Sequence, residues 1–370
     1  MTKHNAKNER VKREYVLYLE EAKRRDPATV DRVLKSISRF EESTRHKDFK
    51  SFHRQQAVAF KKKLAEALNA RTGERLSKAT VHSILRDLQA FFFWLAHLAG
   101  YKSHIAYADA DYFNLSDKDV AIANARREKR VPTLEQVELA LAAMPADAPL
   151  ERRNRAVIAY AVVTGARVAA LASFRLGDVN MDEGFVDQDA RHVRTKFSKT
   201  FRTFLMPVSD LATSIARDWH AEIIADVSRG PQDPLFPITE MGLSVDGVFA
   251  PRGLGREAWT TSGPIREIFK TGFRLAGLPY FNPHSIRDML VRHIMTLDLP
   301  VEMLKACSQN LGHQGLLTTL TSYGAVTSPR QAELIRQGFP RRGVPKRELP
   351  DAEEIAAAVV DALKRSGARP

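Results

Sequence analysis

The chain has 370 residues, 44% hydrophobic and 27% charged, which is long for one ordinary domain and supplies enough apolar side chains for two cores. Lys and Arg exceed Asp and Glu by enough to leave a formal net charge of +13 and a pI of about 9.8, a balance that favours a polyanionic partner, most simply nucleic acid. The single cysteine, Cys307, rules out an internal disulfide and a multi-cysteine zinc site and fits a reducing cytoplasm.

Residues 10–122 read as helical. Val30, Val33, Leu34, Ile37 and Phe40 recur at helical spacing, as do Phe52, Val58, Phe60, Leu64 and Leu68. Ser77 is placed to cap a helix over Lys78–Ala99, whose apolar stripe runs from Val81 to Leu98 and which Gly100 stops. The expectation is a bundle of about four helices with Lys and Arg outside.

Residues 123–133 read as a basic linker ending at Pro132. Thr133 then caps a new helix with Glu135 and Gln136 in its first turn. Residues 134–340 read as a second domain, mostly helical. It contains three short strands, Gly184–Gln188, His192–Thr195 and Phe201–Val208, forming a small antiparallel sheet. The Gly- and Pro-rich segment 228–264 reads as a long loop or insertion. Residues 341–370 are a basic tail with a helix over Asp351–Lys364, whose stripe of Ile355, Ala358, Val359 and Leu363 suits a subunit contact or a solvated amphipathic tail. The N-terminus lacks the apolar core of a signal peptide. The apolar stretches Ala90–Gly100 and Ala156–Ala166 are too short to span a bilayer, so a cytoplasmic protein without a membrane partner is expected.

Six residues between positions 167 and 323 are the candidates to carry chemistry. Arg167 follows Thr164-Gly165-Ala166 at a helix boundary, and guanidinium suits phosphate because its planar fork donates two parallel hydrogen bonds and stays charged. Lys199, with Lys196 as the alternative, lies in the turn before the third strand, where an amine of tuned pKa can protonate a leaving oxygen. His284 and Arg287 stand three apart in Pro283-His284-Ser285-Ile286-Arg287 and share a helix face. His313 ends Leu311-Gly312-His313, and Tyr323 follows ten residues later. A phenol of pKa about 10 needs a base and cationic neighbours to act as a nucleophile. Singly, each has a plain structural explanation: a helix-start arginine, a solvated hairpin, a surface His/Arg pair, a packing tyrosine. In this order they point to phosphoryl transfer on a nucleic-acid backbone through a covalent tyrosine intermediate.

With these motifs the chain resembles the tyrosine recombinase (phage integrase) family over most of residues 30–335. The resemblance implies a mainly α protein: an N-terminal helical, SAM-like core-binding bundle and a mostly helical catalytic domain with a small antiparallel β-sheet. It implies that Arg167 and Arg287 bind the scissile phosphate and that Lys199, eight residues before Pro207, is the general acid. His284 would assist as base or position the phosphate, His313 would donate a hydrogen bond to it, and Tyr323 would form a 3′-phosphotyrosine. No cofactor, neither metal nor ATP, is implied. The implied partners are double-stranded DNA, a homo-tetramer on paired sites working through a Holliday junction, and a directionality or accessory DNA-bending protein. Integration, excision, resolution and transposition remain open.

Three departures stand out. Ala170 occupies a position where the family usually carries an acidic residue, the interval from His313 to Tyr323 is one residue longer than usual, and segment 228–264 is longer than in minimal members. Two other readings stay open: a type IB topoisomerase-like nicking and resealing enzyme, and a non-catalytic DNA-binding accessory protein.

Overall fold

The computed structural model describes residues 4–125, 130–243, 247–297 and 299–313. The chain divides into two compact units, residues 1–127 and 128–370. The expected tail helix 351–364 lies outside the described residues, as does the middle of the basic linker.

In the first unit, short polar side chains start the helices. Asn5 accepts from the Lys7 and Asn8 amides to open α1 (Ala6–Leu17), which runs on into one π-turn, Tyr18–Ala22. Asp26 caps α2 (Pro27–Ser43), with Pro27 at its first position, and α3 spans Arg54–Glu66. Ser77 caps α4 (Lys78–His97), two residues shorter than the sequence suggests because Leu98 is already extended. Ser116 caps α5 (Asp117–Asn124). The described residues of this unit therefore hold five α-helices rather than about four; the fifth is short and buries no residue, so its periodicity carries no signal.

The α4 stripe is the centre of this core, with Leu88, Phe91, Phe92 and Leu95 fully buried. Phe92 stacks on Phe52 at 3.9 Å between centroids and meets Phe40 edge-on at 5.3 Å. Such pairs add roughly 0.5–1.5 kcal/mol each beyond area burial. The buried carboxylate of Asp87 on α4 takes hydrogen bonds from Arg32 (2.6 Å) and Ser36 (2.9 Å) on α2, so the charge that burial would penalise also fixes how the two helices meet.

The second unit is built around one helix. α6 (Leu134–Ala143) begins with a reciprocal Thr133/Gln136 capping box, and α7 (Pro149–Thr164) follows. Residues 156–164 of α7 are all buried, as expected of a helix that is apolar on every side. Its neighbours are α6, α9 (Asp210–Ala225), α10 (Gly263–Leu275) and α11 (Pro283–Ile294). Gly165, at φ +58°, ends α7 with its amide on the Ala161 carbonyl and turns the chain into the single-turn α8 (Val168–Leu171). The strands β1 (Val179–Asn180), β2 (Phe185–Gln188) and β3 (Phe201–Phe204) form one antiparallel sheet in that order. Phe185 pairs with Phe204 and Gln188 with Phe201. The last described helix is α12 (Val301–Asn310).

Two expectations are corrected. His192–Thr195 is not a strand. The Val193 amide closes a turn on the Asp189 carbonyl at 2.7 Å, and the Arg194 guanidinium turns to the Ala172, Trp259 and Thr260 carbonyls, so this stretch joins no ladder. Segment 228–264 is not a plain loop, because β4 (Pro237–Leu243) and β5 (Phe249–Ala258) form a two-stranded antiparallel ribbon within it. Its Pro and Gly residues sit in a ladder broken by register shifts, which hides the alternation by which strands are recognised. Arg153 of α7 holds the ribbon's root. Its buried guanidinium donates to the Pro237 carbonyl (2.7 Å) and Thr239 Oγ1 (3.1 Å) and lies 5.0 Å from the Trp259 ring centroid. No helix among the described residues is long and apolar enough to cross a membrane.

The Gly165 turn can be tested against a matched control. Gly165 and Gly184 both have positive φ, but a Cβ on Gly165 would meet Leu311 Cδ2 at 2.4 Å, whereas one on Gly184 meets nothing within 4 Å. Gly184→Ala is expected to lose only the backbone strain, about 1 kcal/mol. Gly165→Ala is expected to lose roughly 2–4 kcal/mol, since overpacking adds to strain. Urea unfolding of both variants checks the order.

Candidate functional site

The site is assembled from helix ends. Asn282 caps α11 through the His284 amide and Pro283 takes the first position, so the His-x-x-Arg stretch becomes the first turns of a helix set against α7. The two residues of the pair meet different surroundings: His284 is exposed, whereas Arg287 is 2% exposed.

Arg287 joins three parts of the chain. Its Nη1 donates to the Gly165 carbonyl in the turn after α7. Its Nη2 donates to the Leu311 carbonyl at 2.8 Å and lies 3.0 Å from His313 Nε2. Guanidinium can only donate, so Nε2 accepts and the imidazole proton of His313 is on Nδ1. The Thr-Gly-Ala-Arg turn, the α11 helix and the Leu-Gly-His turn thus converge on one buried cation.

His313 is buried, and its pKa is pushed down to about 4 by that burial and by the positive charges of Arg287, Arg167, Lys199 and His284. Four of the other sequence candidates therefore lie close enough to act on His313. Arg167 caps α8 with extended backbone and is half-buried, and no side-chain hydrogen bond or ion pair ties it or Lys199 to a described residue. The two lysines separate here. Lys199 is half-buried and lines an open groove of about 640 Å³ with Phe201, Asn310 and His313, whereas Lys196 is exposed and leans over the Phe197 ring at 4.7 Å. Tyr323 lies outside the described residues.

One residue of the assembly was not singled out in the sequence. Asn310, the last residue of α12, mimics a strand against β3. Its Oδ1 accepts from the Phe204 amide at 2.6 Å and its Nδ2 donates to the Phe204 carbonyl at 2.9 Å. Thr203 Oγ1 adds a bond to the Asn310 carbonyl at 3.1 Å. These bonds fasten the Leu-Gly-His turn to the strand that follows Lys199. An Asn preceding Leu-Gly-His was the only signal available. Ala170, three residues after Arg167, is packed at 1% exposure. The carbonyls of Gly165 and Leu311 orient Arg287.

The arrangement concentrates four permanent or latent positive charges around one neutral imidazole beside an open groove. Such a site suits a tetrahedral anion: two guanidiniums for its oxygens, an amine at its edge and imidazole hydrogen bonds.

A model of the phage integrase family matches residues 130–329, just over half of the chain. Among curated proteins, the tyrosine recombinase XerC of Halalkalibacterium halodurans is 23% identical over 336 residues, 88% of this chain and 96% of that protein. The tyrosine recombinase XerD of Neisseria meningitidis serogroup B is 25% identical over 199 residues, 52% of this chain and 58% of that protein. Among solved structures, a lambda integrase dimer bound to a COC′ core site aligns with a TM-score of 0.58 at 13% identity, over 92% of this chain and 98% of that one. The Tn1549 transposon integrase in complex with transposon right end DNA aligns at 0.56 with 16% identity, over 89% and 99%. The structural likenesses speak to the fold. The family match, over residues that include the Arg287 assembly, shows that the chain belongs to the phage integrase family of tyrosine recombinases.

Proposed function

We propose that the protein is a site-specific DNA recombinase that cleaves and rejoins strands of duplex DNA through a 3′-phosphotyrosine, with no metal or ATP requirement. The observation that carries this reading is the buried Arg287 guanidinium bonded to the Gly165 and Leu311 carbonyls and to His313 Nε2, with Arg167 and Lys199 beside it.

On this reading Arg167 and Arg287 hold the non-bridging oxygens of the scissile phosphate and stabilise the charge that grows on them as the phosphorus becomes five-coordinate. The Tyr323 oxygen attacks phosphorus as its proton passes to a base, for which His284 is the candidate. Lys199 protonates the departing 5′ oxygen. One phosphodiester bond is exchanged for another, so the energy of the broken bond stays in the tyrosine linkage and rejoining is the same chemistry reversed. The two units would bind the duplex together, with a homo-tetramer on paired sites. Domain limits of 10–122 and 134–340, and a subunit contact through the tail 341–370, belong to the same proposal. The similar fold of lambda integrase, seen as a dimer bound to a core site and as a tetramer bound to a Holliday junction, supports an assembly of this kind.

Covalent trapping tests it. Nicked suicide duplexes from DNA flanking the protein's own gene, incubated in EDTA, are expected to yield a denaturation-resistant protein–DNA adduct that Tyr323→Phe does not form. Specific binding without any adduct would sink the recombinase reading in favour of a DNA-binding accessory protein. An adduct persisting in Tyr323→Phe would mean a different nucleophile.

The two arginines should respond differently to lysine. Arg167→Lys is expected to slow adduct formation about 10²–10³-fold with thermal stability unchanged, because no described residue depends on its guanidinium. Arg287→Lys is expected to lose both activity and stability, because the fork also ties down the carbonyls of Gly165 and Leu311. Melting temperatures beside single-turnover rates separate the two.

The titration of His313 sets a third expectation. Its folded pKa of about 4 lies below the ordinary value of 6.5, so below pH 6.5 the unfolded chain takes up the proton first. The stability it contributes is complete above pH 6.5 and lost as pH falls towards 4. Urea unfolding from pH 7 to pH 4 should show a steeper loss in the wild type than in His313→Asn.

A further inference from the structure

The turn between β2 and β3 presents an aromatic ring that folding does not explain. Phe197 is 75% exposed. Its backbone is left-handed (φ +62°, ψ +28°), and Ser198 follows at φ +49°. Neither residue is one that tolerates this region cheaply, and a tight turn is ordinarily given to Gly or Asn. The phenyl ring therefore sits in water on a strained backbone.

The turn's base is firmly held. The Ala190 amide donates to Thr200 Oγ1 at 3.1 Å, the Arg194 amide to Ser173 Oγ at 2.9 Å, and the Arg194 guanidinium to the Ala172 carbonyl at 3.1 Å. Val193 is 1% exposed. The nearby Arg191 and Arg202 are engaged by Asp189 and Asp187. Lys196 and Lys199, which flank the ring, make no ion pair with a described residue. The Lys196 amine lies 4.7 Å from the ring centroid. An anchored stem thus raises one apolar ring beside the Lys196 amine, and Lys199, two residues on, shares its groove with His313.

We propose that Phe197 is a wedge that stacks on a base of the bound duplex beside the phosphate that Lys199 addresses, unstacking one base step there. The proposal rests on the DNA-recombinase reading of the same site. An exposed phenyl flanked by lysines matches what a base pair beside a phosphate offers: a π-face for the ring and an anion for each amine. Phe197 is two residues from Lys199, so the base it reaches lies within one or two steps of that phosphate. Phe197 is assigned no part in the bond-making step. It positions the strand.

The test uses the full chain and a fluorescein-labelled duplex recovered from a random-sequence pool by repeated binding to the wild type, with 2-aminopurine moved stepwise through it. The wild type is expected to brighten 2-aminopurine at one step only. Phe197→Ala should lose that signal and bind about 5- to 100-fold more weakly with an unchanged salt slope, because stacking releases no counterions. Lys196→Ala should instead reduce the slope by about 1. Phe197→Gly relieves the left-handed strain, so its melting temperature should match or exceed that of the wild type while its binding falls as for alanine. Wild-type affinity and an unchanged 2-aminopurine pattern in Phe197→Ala would overturn the wedge and leave the DNA reading standing. Failure of the wild type to recover any duplex from the pool would overturn both.

Discussion

A guanidinium buried to 2% exposure must have its donors satisfied or it destabilises the fold, and in this chain that requirement shapes the site. The two terminal nitrogens of Arg287 meet it with the carbonyls of Gly165 and Leu311 and with His313 Nε2. Those partners come from the end of α7 and the turn after α12, more than a hundred residues apart in sequence. The left-handed turn at Gly165 exposes one carbonyl, and the end of α12 exposes the other. Remove the arginine and two orphaned helix-end carbonyls and an imidazole are left facing one another. The interaction that orders the site is therefore also one that the fold cannot lightly lose.

The same charge explains the electrostatic character of the pocket. Burial and the neighbouring Arg287, Arg167, Lys199 and His284 hold His313 neutral, and the side chains of Arg167 and Lys199 make no hydrogen bond or ion pair to a described residue. Mutual repulsion without an anion is a cost of assembly. An incoming phosphate relieves it, and on the proposed mechanism the transition state relieves it further as charge accumulates on the non-bridging oxygens. Ala170, three residues after Arg167, is buried. Carbonyl dipoles orient Arg287 and position its fork without cancelling its charge.

Around this centre the second unit is mounted on α7. Its C-terminal end delivers Gly165 and Arg167, and near its N-terminal end Arg153 grips the root of the β4–β5 ribbon. Asn310 joins α12 to β3, so Lys199 and His313 face one groove from elements that share no local sequence signal. The β2–β3 turn is tied down at its stem and strained at its tip. Rigidity is placed where groups converge, and the exposed ring and charge stand at the tip.

What the sequence by itself determined is local. Apolar spacing, capping residues and Gly or Pro punctuation marked α2, α4, α6 and the start of α11 because helix formation is decided within a few residues. Thr-Gly-Ala-Arg, Pro-His-Ser-Ile-Arg and Leu-Gly-His were legible for the same reason, since each is a helix boundary carrying its own candidate side chain. What only the tertiary structure decided involves partners without a side-chain signature. The carbonyls that orient Arg287 belong to Gly165 and Leu311, and a backbone acceptor looks the same in every sequence. The β4–β5 ribbon was missed because its register shifts and its Pro and Gly residues erase the alternation of strands, and His192–Thr195 was misread because long-range bonds from Arg194 outweigh strand propensity. Lys199 and Lys196 look alike in sequence; their separation into groove and solvent follows from Asn310 fastening β3 to α12, a contact spanning about a hundred residues. Local rules set which residues begin and end each element, but convergence of distant helix ends on one buried cation is a property of packing alone.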